Sequence, residues 1–107
     1  TEATAANVFF VRGRTVLTPE LSGDVFPGVT RRIVIALLAR MGVEVREVPL
    51  HPADTLGVSA AFISSTLLEL RPIEELHGTR LDTATDDVFV ELLRRFRDLT
   101  HGGDLEP

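Results

Sequence analysis

Val8-Phe9-Phe10-Val11, a β-branched and aromatic run, is followed by Arg12-Gly13-Arg14 and then by Thr15-Val16-Leu17. Two such runs around a glycine-bearing break predict an antiparallel hairpin with Gly13 in its turn. This feature constrains the fold most, because a lone hairpin is not stable in water and the rest of the chain must cover it. Thr18-Pro19 ends the second strand, since proline has no amide to give to a ladder. The stretch from Leu21 to Gly28 reads as a loop, punctuated by Gly23, Pro27 and Gly28.

Helical spacing begins after that loop. Thr30 is placed as an N-cap, Val34, Leu37, Leu38 and Met41 fall on one stripe, and Gly42 follows as a C′ residue. Val43, Val45 and the run to Leu50 read as a strand alternating with Glu44 and Arg46. Pro52-Ala53-Asp54 opens a short helix that Gly57 stops. Ala60-Ala61-Phe62-Ile63 reads as a buried strand ending in Ser64-Ser65-Thr66, and Leu67 to Ile73 as extended chain. His77-Gly78-Thr79 is the turn of a second hairpin. The last element is a helix with Thr85 as cap, Asp86 and Asp87 at its positive end, and Val88, Leu92, Leu93 and Phe96 as its stripe. Arg94, Arg95 and Arg97 suit its negative end. No repeat or linker interrupts the pattern. The chain reads as one α+β unit over residues 1–100, with residues 101–107 as a flexible tail.

Composition narrows the function classes. A length of 107 residues and a hydrophobic fraction of 44% suit one domain with a real core and argue against disorder. The longest apolar run, Ile33 to Ala39, is too short to span a bilayer. The opening residues show neither the basic nor the apolar region of a signal peptide. The absence of cysteine excludes disulfides and thiolate metal sites and suits a cytoplasmic protein. A net charge of -5 argues against a nucleic-acid surface. All eleven basic residues are arginine, a bias that a high-GC genome accounts for, and there is no lysine. The sequence starts at Thr1 and reaches a strand within seven residues, so it is expected to begin in mid-fold, as a fragment or cleavage product.

Three short stretches carry chemistry. Pro27-Gly28-Val29-Thr30-Arg31 joins a glycine loop to a helix start, where free amides and the helix dipole favour an anion such as phosphate. Capping alone accounts for Pro-Gly at a helix start equally well. Ser64-Ser65-Thr66 sets hydroxyls at a strand end, where open sheets place ligands, although an ordinary polar turn has the same composition. Glu2 precedes a run of small residues and then Asn7, which also suits a turn. Arg31 and Arg32 read as a solvated helix face.

Taken in order, these stretches resemble the fold-type IV, or class IV, aminotransferases: branched-chain and D-amino-acid aminotransferases and aminodeoxychorismate lyases. The matching text is Thr1-Glu2, Asn7-Val8-Phe9, Leu17-Thr18-Pro19, Phe26-Pro27-Gly28-Val29-Thr30-Arg31, Met41-Gly42-Val43-Glu44-Val45, Phe62-Ile63-Ser64-Ser65-Thr66 and Pro72-Ile73. The resemblance runs to about Phe96. It implies the C-terminal pseudo-barrel domain of a D-amino-acid aminotransferase-like fold, incomplete at its N-terminus, with pyridoxal 5′-phosphate (PLP) as cofactor. It assigns Glu2 to the pyridine nitrogen, whose protonation a carboxylate sustains. The amides of Val29 and Thr30 take the phosphate, with Ser65 and Thr66 as the second grip. Phe26 packs on the cofactor ring, where the branched-chain enzymes typically have leucine, and Leu67 lies where some members hold the substrate carboxylate. The family's Schiff-base lysine lies upstream of the glutamate, so it is expected in a missing N-terminal part of the same protein.

The resemblance implies an amino acid and a 2-oxo acid as substrates and a homodimer as the assembly. It leaves open the donor, its stereochemistry, and transamination against release of pyruvate by a lyase. Ser64-Ser65-Thr66 is closer to the D-amino-acid enzymes, whereas the apolar pair Leu67-Leu68 is closer to the lyases. Two readings from other classes are a non-catalytic dimerisation domain and a hydrolase using Thr1 as nucleophile.

Overall fold

β1 (Ala6–Arg12) is the strand around which the others are arranged, pairing antiparallel with β2 (Thr15–Pro19) on one side and β4 (Ala60–Ser65) on the other. The computed structural model describes residues 6–20, 28–65 and 69–101. The β1–β2 hairpin closes through Gly13 and Arg14, and Gly13 sits at φ +64°. A positive φ at the first turn position lets the turn follow the twist of the strands, and glycine adopts it without strain.

From β2 the chain passes through α1 (Val29–Arg40) to β3 (Glu44–Val48), which pairs parallel with β2. Parallel neighbours need a crossover, and α1 supplies it. β5 (Glu69–Ile73) adds antiparallel to β4, giving the order β3-β2-β1-β4-β5. Pro72 lies on this outermost strand, where a missing amide breaks no ladder. β6 (Glu75–Leu76) and β7 (Thr79–Arg80) form a separate hairpin across His77 and Gly78, both at positive φ. α2 (Asp87–His101) completes the described chain and includes the first residue of the expected tail; residues 102–107 lie outside the described residues. No helix of the described residues is long and apolar enough to cross a membrane.

Strand periodicity divides the core. Phe9, Val11, Val16, Ala60 and Phe62 point to one face, which α1 covers with Val34 and Leu38 and α2 with Val88, Phe89, Leu92 and Phe96. Phe9 stacks on Phe62 at 5.0 Å between centroids, and Phe62 meets Phe89 at 5.3 Å. Phe89 lies beside the stripe expected from sequence and is as buried as Val88, Leu92 and Phe96, whereas Leu93 of that stripe is only partly buried. On the opposite face Phe10, Leu17 and Ala61 pack with Val58 and Leu81.

The helix ends depart from the expected caps in two places. α1 begins at Val29 with Gly28 as N-cap, so Thr30 is a helical residue rather than the cap. Gly28 takes the extended conformation an N-cap needs, and the Thr30 side chain is buried instead of turning back to the helix end. At α2 the cap is Asp86, whose Oδ2 accepts the N–H groups of Val88 (3.0 Å) and Phe89 (3.1 Å). Thr85 is committed to a 3-10 turn, Thr83–Thr85, and its hydroxyl donates to the Asp82 carbonyl. The C-terminus of α1 agrees with expectation. Gly42, at φ +79°, follows the last turn, while the Val43 and Gly42 amides donate to the Leu38 and Ala39 carbonyls. That is the Schellman arrangement, with Val43 and Leu38 packed together in the core. On the outer face of α2, Arg94 and Arg95 bond Glu91 and hold its carboxyl down to about 2.

Asp86→Ala is expected to lower stability by about 1 kcal/mol, the usual worth of a lost cap. Thr85→Ala should cost markedly less. Denaturant midpoints at constant slope measure both, and equal losses would contradict the Asp86 assignment.

Candidate functional site

The pairing register brings three chain segments together at one end of the sheet. Asn7, at the mouth of β1, lies opposite Ser64, near the end of β4. A side-chain carbon on Gly28 would stand 3.9 Å from Asn7 Nδ2, so the start of α1 sits beside the same pair. Phe9 opposite Phe62 and Val11 opposite Ala60 continue this row into the core.

Among the described residues the start of α1 carries no capping side chain. The first rung of its ladder is the Arg32 amide donating to the Gly28 carbonyl at 3.1 Å. The amides of Val29, Thr30 and Arg31 precede that rung and have no acceptor within the helix. Gly28 offers no side-chain cap and the first turn holds no acidic residue. α2 differs, with Asp86 on its amides and Asp87 in its first turn. Among the described residues no side-chain cap or first-turn acid occupies the positive end of the α1 dipole, an arrangement that suits an anion.

Two hydroxyls strengthen this reading. Thr30 is 2% exposed and Ser64 is 1% exposed, yet neither Thr30 Oγ1 nor Ser64 Oγ has a hydrogen-bond partner among the described residues. A buried polar group left unpaired costs about 1–3 kcal/mol. Native structures seldom retain such groups without a use for them.

Arg31 fixes where α1 begins. It was expected on a solvated face, but it is 3% exposed and its Nη2 donates to the Pro19 carbonyl at 3.1 Å and to Glu47 Oε1 at 3.0 Å. The cause is its position on the side of α1 that faces the sheet, where Thr30, Val34 and Leu38 are also buried. One guanidinium thus ties the first turn of α1 to the ends of β2 and β3. Arg32 is exposed, as expected.

The expected site residues fall as follows. Val29 is the first residue of α1, with its side chain 65% exposed. Thr30 sits in the first turn of α1. Ser65 ends β4, half-buried and on the sheet face opposite that of Ser64. Glu2, Phe26, Thr66 and Leu67 lie outside the described residues. Ser64, by contrast, is buried opposite Asn7, and strand alternation from the buried Phe62 is the sequence signal that points to its inward face.

The family model for amino-transferase class IV matches residues 1–76. The chain belongs to the class IV aminotransferases. Among relatives of this family, branched-chain amino acid aminotransferase 2, chloroplastic, of Humulus lupulus is 29% identical over 82 residues, covering 75% of this chain and 20% of that protein. An aminotransferase from Brucella abortus, solved bound to the co-factor PLP, superposes with a TM-score of 0.79 at 31% identity, over 91% of this chain and 34% of that one. A mutant branched-chain amino acid aminotransferase from Thermobaculum terrenum superposes with a TM-score of 0.82 at 28% identity, over 92% of this chain and 33% of that one. This class IV chain therefore spans between 20% and 34% of the length of these relatives. The mixed α+β fold expected from sequence is the fold of these aminotransferases.

Removing either end of the Arg31–Glu47 pair should have unequal effects. Glu47 is 47% exposed and can be solvated, whereas Arg31 cannot. Glu47→Ala strands a buried guanidinium and is expected to cost about 1–3 kcal/mol. Arg31→Met, which keeps the apolar stem, should cost less. Urea unfolding of both variants decides the order, and the reverse order would contradict a clamp held from the buried side.

Proposed function

We propose that this chain forms the phosphate-gripping seat for PLP in an aminotransferase acting on an amino acid and 2-oxo acid pair. The observation that carries the reading is the uncapped start of α1, with the buried hydroxyl of Thr30, in a chain of the class IV family. Amides at a helix start bind a phosphate dianion without the cost of neutralising a buried charge, and the dipole adds to the attraction. The Thr30 hydroxyl gains the partner it lacks among the described residues. Pinned by Arg31, these donors hold a fixed position relative to the sheet end, which orients whatever ring the phosphate carries.

When bound, PLP supplies an aldehyde for the amino group of the substrate and a ring that withdraws electrons from it. The remaining roles are carried by resemblance. Glu2 is proposed to hold the proton on the ring nitrogen, Phe26 to pack on the ring, Ser65 and Thr66 to add to the phosphate grip, and the Leu67 amide to meet the substrate carboxylate. No lysine is among the 107 residues. The proposal for this chain is therefore the seat, with the amine supplied from outside these residues. The names of the relatives favour transamination of branched-chain amino acids over lyase chemistry. A cytoplasmic homodimer fits the family resemblance.

Equilibrium binding tests the seat. PLP should bind saturably and be displaced by inorganic phosphate, and pyridoxal, which lacks the phosphate, should bind at least about tenfold more weakly. Thr30→Val, which removes the hydroxyl at constant shape, should weaken PLP by about tenfold, the worth of one hydrogen bond to a charged group. Equal affinity for PLP and pyridoxal would exclude α1 as the phosphate seat.

A further inference from the structure

We infer that Ser64 is a further anion-positioning residue of this site, its hydroxyl donating a hydrogen bond to the phosphate group held at the start of α1. The inference rests on the PLP-seat reading and extends it to a residue which that reading does not use. Ser64 is 1% exposed, and its Oγ has no partner among the described residues. It points to the helix-covered face, because β4 alternates and Phe62, two residues earlier, lies in the core beneath α1 and α2. Its cross-strand neighbours are Asn7 and Leu70. Leu70 is apolar and offers it nothing. Asn7 abuts Gly28, the residue from which α1 starts, and this places Ser64 on the side of the sheet end where the open amides lie.

A serine in an apolar row needs a reason. The row Ala60, Phe62, Ser64 is buried throughout, and alanine at its end would fill the same space without an orphaned donor. A buried, unpaired hydroxyl set beside an amide side chain and a helix start is arranged to meet an acceptor arriving at that helix start. The anion can accept from it while the α1 amides take its other oxygens.

Ser64→Ala separates this role from a merely structural one, because the two predict opposite signs in the free protein. Without ligand, Ser64→Ala should unfold at the same temperature as wild type or higher, since an unpaired buried hydroxyl is gone. With PLP or inorganic phosphate added, its affinity should fall by about tenfold, and the ligand-induced rise in unfolding temperature should shrink accordingly. Ser64→Thr, which keeps the hydroxyl, should retain most of the affinity. Calorimetric titration with PLP and with inorganic phosphate, paired with thermal unfolding, reads both effects. Unchanged affinity in Ser64→Ala, with wild type binding normally, overturns the inference. A loss of free-protein stability would show instead that the hydroxyl serves the fold, and would also overturn it. Failure of wild type itself to bind either probe would remove the seat reading on which the inference rests.

Discussion

The register between β1 and β4 is the constraint on which the core and the site both depend. Phe9 against Phe62 and Asn7 against Ser64 belong to one row on one face. A slip of one residue would turn the phenylalanines away from α1 and α2 and carry Asn7 and Ser64 to the other side of the sheet. The stacking of Phe9 on Phe62, and of Phe62 against Phe89 from α2, makes that slip costly. The packing that stabilises the domain therefore also fixes the polar end of the row beside Gly28.

Onto that row the second element is placed by Arg31. A helix start is useful to a ligand only when its amides point at a defined place, and helix ends fray unless held. Arg31 reaches from the first turn of α1 to the end of β2 and to the side chain of Glu47 on β3. The two helices then divide their work. α2 is closed at its start by Asp86 and packs as a core helix, whereas α1 is pinned and left open. In a chain of net charge -5, the first turn of α1 holds no acidic residue.

Much of this was legible in the sequence because it is local. The β1–β2 turn, the stop at Gly42, the early proline of the 3-10 turn Pro52–Thr55 and the His77-Gly78 turn are set by backbone preferences within a few residues. Cap identities were displaced because two candidates stood side by side. Thr85 and Asp86 both suit a cap, and a 3-10 turn consumed the threonine. Thr30 was claimed by burial. The role of Arg31 was not legible, since its partners lie 12 and 16 residues away and meet it only once β2 and β3 pair in parallel. Ser64 was grouped with Ser65 and Thr66 by composition. Only the fixed face of β4 separates Ser64 from Ser65 and turns one of them inward.

The measurement that tests the account most directly is a titration of the isotopically labelled protein with PLP, followed by its backbone amide resonances. The amides of Val29, Thr30 and Arg31 should shift together and saturate with the bound phosphorus signal. Those of Leu76 to Arg80 in the β6–β7 hairpin should stay still. If the hairpin amides shifted while the first turn of α1 did not, the cofactor would sit elsewhere and the account of an open, pinned helix start would be wrong.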